Sequence, residues 1–571
     1  MKPVEVLQKW WGYSSFRPLQ ESIIERALSG EDTLAILPTG GGKSVCFQVP
    51  AMCREGLAIV VTPLISLMRD QVEHLEMAGI RALAIYSGMS YHEIDTALDN
   101  ARYGDYKFLY VSPERLRTDL FKARVATMDV NFIVVDEAHC ICQWGYDFRP
   151  DYLLLSNLRE ILPDVPVIAL TASATPDVAQ DIMDKLGFRG RREPICSGFE
   201  RSNLSYVVRE CEDKFGQLLR LCNNVVGTGI VYVRERVASA KIASFLLSQG
   251  VAADFYHAGL STPERTAKQK RWMEGDTRVI VATNAFGMGI DKSDVRWVCH
   301  FDLPDSLEAY YQEAGRAGRD GKPSYALLLW NKGDMTRMTR ICQTSFPPLD
   351  YIAGVYQKIF QYLGFAYEEG QGRSCKFDLM DFARKFRLHA ATAYYALKYI
   401  ESCGYWTLTD ELDNPSRVMF TVGRDELYRV QLGSNRLDTF IKALMRIYPA
   451  LFSHPVRIDE GYIARTTTDS EAGVKEKLME LSRMHVLQYI PRDRSPYIIL
   501  HNERLTPDNL FLSPTDWERR RNVFKTHLES MYRYISPSCS DDNPACRQKR
   551  ICAYFGQKDA KECGKCDMCR K

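Results

Sequence analysis

The apolar run Thr33-Leu34-Ala35-Ile36 leads directly into Leu37-Pro38-Thr39-Gly40-Gly41-Gly42-Lys43-Ser44, and a helical stretch follows through Val45, Cys46 and Phe47. A strand feeding a glycine-rich turn that opens a helix is a strong constraint, because it places this chain among α/β folds that bind phosphate at a helix N-terminus. Glycines let backbone N–H groups approach anionic oxygens, Lys43 can reach the β- and γ-phosphates, and the Ser44 hydroxyl can ligate magnesium. The first glycine of the usual phosphate-loop pattern is replaced by Leu37.

The surrounding sequence has the matching rhythm. Ala58–Val61, Phe108–Val111, Phe132–Val135 and Val167–Leu170 are short runs rich in β-branched residues, separated by helical stretches. That alternation predicts a parallel, doubly wound sheet, whose ligands bind beyond the carboxyl ends of the strands. Asp136 and Glu137 fall at such an end. One carboxylate can hold a nucleotide's magnesium while the next polarises a water for attack on the γ-phosphate. The pattern then restarts with Gly229–Val233, Ala253–Tyr256, Val279–Ala282 and Trp297–Phe301, this time without a phosphate loop. A second lobe of that kind is suited to closing on a nucleotide held by the first. Arg316 and Arg319 stand three apart in Gln312–Gly321, a spacing that predicts one helical face.

Bulk properties narrow the class. A chain of 571 residues exceeds one core. With 46% hydrophobic and 26% charged residues and no 18-residue apolar run, it is expected to be a cytoplasmic protein with no membrane partner. The formal net charge of +2 neither supports nor excludes a polyanionic partner. Of 17 cysteines, six fall between Cys539 and Cys569, and Cys546, Cys563, Cys566 and Cys569 have the spacing of a closed, structural tetrahedral zinc site. Between Phe346 and this cluster, helices expected over Leu349–Leu363, Leu379–Phe386 and Ala390–Ser402 precede a hairpin expected of Tyr405–Leu408 with Val418–Val422. Helix Ser470–Met484 precedes a second hairpin, Leu487–Ile490 with Tyr497–Leu500. Both read as winged-helix-like units. The basic turn Arg492–Pro496 reads equally as a wedge at a duplex fork or as an ordinary solvated turn.

Several of these stretches also resemble a known family. Thr39–Ser44, Asp136-Glu137-Ala138-His139 and Thr171–Thr175 are similar to the first lobe of superfamily 2 helicases, and Asp136 to Pro150 resembles the Asp box and aromatic-rich loop of the RecQ family. The terminal cysteine segment resembles that family's zinc-binding subdomain. The resemblance implies that Trp144, Phe148 and Arg149 sense single-stranded DNA, with Tyr146 standing where the family often has His. It also implies that Tyr13, Arg17 and Gln20 recognise adenine and that Arg319 acts as an arginine finger with Arg316 in support.

The expected fold is thus α/β, with two tandem RecA-like parallel-sheet lobes (1–200 and 201–342). Winged-helix-like units at 346–430 and 435–505 follow, then a helical hairpin and zinc-binding subdomain at 513–571. The family usually places the zinc subdomain directly after the second lobe, so about 200 winged-helix-like residues are displaced here. The implied function is an ATP-dependent DNA helicase of 3′-to-5′ polarity in repair and recombination. Its cofactors are ATP, Mg²⁺ and Zn²⁺. Lys43, Asp136, Glu137, Arg316 and Arg319 are catalytic; Tyr13, Arg17, Gln20, Thr39, Gly40, Gly41, Gly42, Lys43 and Ser44 bind nucleotide, with Ser44 and Asp136 on magnesium. Expected partners are single-stranded and tailed or forked DNA and a single-strand-binding protein, with nucleoid association in a bacterium. The alternatives are an RNA helicase and an ATP-gated nucleic-acid clamp.

Overall fold

The computed structural model describes every residue except 87, 88, 90, 143–148, 288–291, 410–415, 423–426, 428–434, 449–450, 453–455, 492–495, 541–543 and 571. The chain forms two compact units, residues 1–342 with 518–571, and residues 343–517.

In the first unit, β1 (Thr33–Ile36), β2 (Leu57–Val61), β3 (Ala82–Ile85), β4 (Phe108–Val111), β5 (Val130–Val135), β6 (Val167–Thr171) and β7 (Ile195–Cys196) make a sheet ordered β3-β4-β2-β5-β6-β1-β7. Every pairing is parallel. Period-2 alternation divides the side chains between two faces. Leu34, Ile36, Ile59, Val61, Ile133 and Val135 enter one core, and Ala35, Ala58, Val60, Phe132 and Val134 enter another. Because both faces are buried, the strands read in sequence as continuous apolar runs.

The second lobe repeats this plan with β8 (Leu204–Glu210), β9 (Thr228–Tyr232), β10 (Ala253–Tyr256), β11 (Val279–Ala282), β12 (Val295–His300) and β13 (Ser324–Trp330), ordered β10-β11-β9-β12-β13-β8. Strands β8 and β13 were not expected from the sequence; they pair in parallel over seven residues and close one side of the sheet. One core cluster is continuous through both lobes and the C-terminal helices, where Leu528, Met531, Tyr534, Ile551 and Phe555 join it. The zinc-type segment therefore folds with the lobes despite its distance from them in sequence.

The second unit corrects the expected hairpins. Its strands are β14 (Ser374–Lys376), β15 (Trp406–Thr409), β16 (Arg417–Phe420), β17 (Val456–Arg457), β18 (Leu487–Ile490) and β19 (Tyr497–Leu500). β15 pairs antiparallel with β19, from Trp406↔Leu500 to Thr409↔Tyr497, and β16 with β18, from Arg417↔Ile490 to Phe420↔Leu487. Neither expected hairpin describes these strands. The chain instead runs out along β15 and β16 and returns along β18 and β19. Two separate cores follow this pairing: Ile352 to Trp406 join Ile498 and Leu500, while Val418 to Tyr489 form their own cluster. The boundaries 346–430 and 435–505 give way to one winged-helix-type unit nested inside another. Residues 413–415 and 492–495, the expected turns, lie outside the described residues.

Candidate nucleotide cleft and cysteine cluster

The phosphate loop needs backbone that only glycine adopts easily. Gly40 and Gly42 have φ of +79° and +78°, and helix Lys43–Cys53 starts immediately after. A Cβ on Gly42 would lie 2.4 Å from the Gln20 Nε2. Gln20 accepts from the Arg17 backbone N–H (2.8 Å) and donates to the Gly42 carbonyl (3.0 Å), while the Arg17 guanidinium donates to the Gly40 carbonyl (2.6 Å). Arg17 and Gln20, two of the three residues singled out for adenine, thus bond to the backbone of the phosphate loop.

At the end of β5 the acid pair turns sharply. Glu137 has φ +48°, a left-handed conformation uncommon for a residue with a side chain. Its Oε1 lies 3.3 Å from Lys43 Nζ and its Oε2 lies 3.4 Å from His139 Nδ1. His139 Nδ1 is also 2.9 Å from Thr171 Oγ1. Burial opposes the Glu137 charge, but Lys43, His139 and Arg316 outweigh it and hold the carboxyl below its usual range. Burial, reinforced by the Glu137 charge, pushes Asp136 up to about 6, with Lys43 opposing. Two neighbouring carboxylates are thereby set apart in proton affinity, as separate roles would require.

The second lobe faces this pair. Helix Leu307–Ala314 ends before the arginines, so Arg316 and Arg319 lie in the turn that follows and not on a helical face. Beyond Ala314 the bonding tightens to three-residue turns, Arg316 N–H to the Glu313 carbonyl and Ala317 N–H to the Ala314 carbonyl, and Gly318, at φ +67°, turns its N–H to the Val295 carbonyl. Both arginines nevertheless line the same cavity of about 910 Å³ as Tyr13, Arg17, Gln20, Thr39, Gly40, Gly42, Lys43, Ser44, Asp136 and Glu137. A Cβ on Gly40 would sit 3.0 Å from Arg319 Cγ. Thr39, grouped by sequence with the phosphate binders, donates its hydroxyl across the cleft to the Gly315 carbonyl at 2.9 Å.

Arg149 donates to the Pro63 carbonyl at 3.0 Å, beyond the end of β2. Trp144 and Phe148, with Tyr146, lie outside the described residues. The ligand atoms of Cys546, Cys563, Cys566 and Cys569 fall within 4.8 Å of one another. The Cys546 thiol donates a hydrogen bond to the Cys566 sulfur, which lowers Cys566 to about 4 and raises Cys546. Four cysteine sulfurs so close together fit a tetrahedral zinc. Among the described residues no helix is long and apolar enough to cross a membrane.

Family models match in chain order: DEAD/DEAH box helicase over 17–182, helicase conserved C-terminal domain over 213–321, RecQ helicase winged-helix domain (Bacteroidota) over 418–491, and RecQ zinc-binding over 505–570. The ATP-dependent DNA helicase RecQ of Pasteurella multocida is 44% identical over 342 residues, 59% of this chain and 54% of that protein. The probable ATP-dependent DNA helicase RecS of Bacillus subtilis is 42% identical over 356 residues, 62% of this chain and 71% of that protein. A crystal structure of the DUF1998 helicase MrfA bound to DNA aligns with a TM-score of 0.50 at 18% identity, covering 58% of this chain and 51% of that one, a likeness of fold alone. The matched region spans about half the length of the first RecQ relatives, including that of Haemophilus influenzae at 55%. With the RecS match covering more than two thirds of its relative, and with winged-helix and zinc-binding matches particular to this group, the chain belongs to the RecQ family of helicases.

Proposed function

We propose that this chain is an ATP-dependent DNA helicase that couples hydrolysis to 3′-to-5′ movement on single-stranded DNA and to duplex unwinding in repair and recombination. The observation that carries the reading is the cleft, in which Lys43 meets Glu137 at 3.3 Å and Arg316 and Arg319 of the other lobe line the same cavity. The backbone of Thr39 to Lys43 receives the phosphates, and Tyr13, Arg17 and Gln20 take the adenine. Ser44 and Asp136 would hold magnesium, which neutralises phosphate charge. Glu137 accepts the proton of the attacking water. Arg316 and Arg319 stabilise the charge that develops on the transferring phosphoryl group, a contribution worth roughly 10³ to 10⁵ in rate in related chemistry. Because the arginines come from the second lobe, turnover is linked to lobe closure, and lobes gripping one strand at different points move along it as they close and open. Trp144, Phe148 and Arg149 report the bound strand. Cys546, Cys563, Cys566 and Cys569 hold a structural zinc. A single-strand-binding protein is the partner such an enzyme would meet on its product, in the nucleoid of a bacterium.

ATPase stimulation by single-stranded DNA against RNA of equal length tests the substrate, and stronger stimulation by RNA would overturn the assignment. Unwinding of 3′-tailed over 5′-tailed duplexes tests the polarity. Glu137→Gln should lower kcat about 10²- to 10⁴-fold while ATP still binds. Wild-type turnover in that variant would contradict the catalytic role given to Glu137, whereas a parent chain that binds ATP without turnover would favour the ATP-gated clamp.

A further inference from the structure

The linker between the lobes is held residue by residue by the zinc-type segment. The Phe199 N–H donates to Gln557 Oε1 at 2.8 Å, and its ring stacks on Phe555 with centroids 4.3 Å apart and planes 11° from parallel. Lys561 N–H donates to Glu200 Oε1 at 3.0 Å, Arg201 N–H donates to Gln548 Oε1 at 3.4 Å, and Lys565 donates to the Ser202 carbonyl. Gln548 lies in the first turn of helix Arg547–Tyr554, which begins directly after Cys546, and Gln557 follows three residues past the helix end. Four consecutive linker residues thus have partners in one small domain.

The Arg201 side chain turns the other way, toward the arginine turn. Its guanidinium donates to the carbonyls of Gly315 (3.2 Å), Ala317 (2.9 Å) and Gly318 (3.3 Å). These peptides flank Arg316 and immediately precede Arg319. Asn203 Nδ2 adds a bond to the Gly318 carbonyl at 2.7 Å. The Gly315 carbonyl is the same oxygen that accepts from Thr39 of the phosphate loop. A planar fork that spans three carbonyls fixes a backbone in a way that a single point donor does not.

On the reading of the cleft as an ATPase, we propose that Arg201 is a positioning residue for Arg316 and Arg319, and that the zinc-binding segment sets where Arg201 stands by gripping the linker. The cysteine cluster thereby acts on turnover through the hinge and not through the nucleotide.

The test is made in the full chain. Arg201→Ala should lower kcat about 10- to 100-fold while the Kd of a non-hydrolysable ATP analogue changes less than about threefold. Zinc content and melting temperature should match the parent. Free guanidinium should restore part of the lost rate, and Arg201→Lys should fall between parent and Ala. Gln548→Ala/Gln557→Ala should reproduce the kcat loss with zinc still bound. Parent-like kcat in Arg201→Ala overturns the proposal, as does a loss that tracks lost zinc and lowered melting temperature. A parent chain with no ATP turnover on any nucleic acid defeats the ATPase reading instead. The proposal is then decided by fluorescence energy transfer between dyes in the two lobes, which must show a broader distance distribution in Arg201→Ala with analogue bound; an unchanged distribution sinks it.

Discussion

Gly315 sits where the two lobes touch, and one added methyl there isolates what that contact contributes. A Cβ built at Gly315 lies 2.5 Å from Thr39 Oγ1 and 2.9 Å from the Tyr311 carbonyl, while the next atom, Arg201 Nη1, is at an ordinary 3.6 Å. To reach a normal contact of 3.4 Å the Thr39 hydroxyl must retreat from 2.5 Å by about 0.9 Å, away from the carbonyl it now binds. Displacements near 1 Å at a reacting site cost on the order of 10²-fold in rate. The lost hydrogen bond alone is worth about 0.5–1.5 kcal/mol, a factor of about 2 to 13. Three backgrounds separate the terms. Thr39→Val keeps the bulk and loses the bond, so it should lower kcat/KM by that smaller factor. Gly315→Ala in the parent should cost roughly 10²-fold. Gly315→Ala in a Thr39→Ala background, where the clashing oxygen is gone, should cost only the residual strain against Tyr311. The measurement is DNA-stimulated ATPase over a range of ATP concentrations, beside equilibrium binding of a fluorescent nucleotide. A Gly315→Ala penalty of the same size with and without the Thr39 hydroxyl would refute the argument.

Other parts of the structure give further expectations. Elemental analysis should find one zinc per chain in the parent and none in Cys563→Ser, whose residues 518–571 should melt early, since structural zinc supplies on the order of 10 kcal/mol. Glu460 is buried and accepts from Tyr489 Oη at 2.8 Å and from the Ser416 hydroxyl. Glu460→Ala should therefore destabilise the nested unit by about 1–3 kcal/mol in urea unfolding, and Glu460→Gln by less, because an acceptor remains. Replacing residues 410–496 by Asn-Gly joins the directly opposed Thr409 and Tyr497 through a two-residue turn. Amide exchange across Leu349–Leu363 and Ala390–Ser402 should then stay as slow as in the parent.

What the sequence made legible, and what it hid, divides along the range of the interactions. The phosphate loop, the acid pair and the cysteines are carried by neighbouring residues, and the buried parallel strands announce themselves because both of their faces are apolar. The end of the second-lobe helix at Ala314 was missed because three-residue spacing suggests one face whether or not the helix continues, and only the glycines at 315 and 318 hint that it stops. Arg201 carried no local signal at all, since its acceptors are carbonyls more than a hundred residues away. The winged-helix region shows the same limit in strand pairing. Trp406–Thr409 and Arg417–Phe420 look like the arms of a hairpin because they are adjacent and β-prone, yet both belong to the outgoing side of a ribbon whose return is Leu487–Leu500. Lengthening the connection from a two-residue turn to residues 421–486 is about five doublings, and each adds only about 0.6 kcal/mol of closure entropy. The inserted unit offsets that through its own core, and Arg417↔Ile490 brings its ends together at the point where the outer ribbon needs them. A domain whose termini are paired can thus be placed at the tip of a hairpin at small thermodynamic cost, and nothing in the local sequence has to change to announce it.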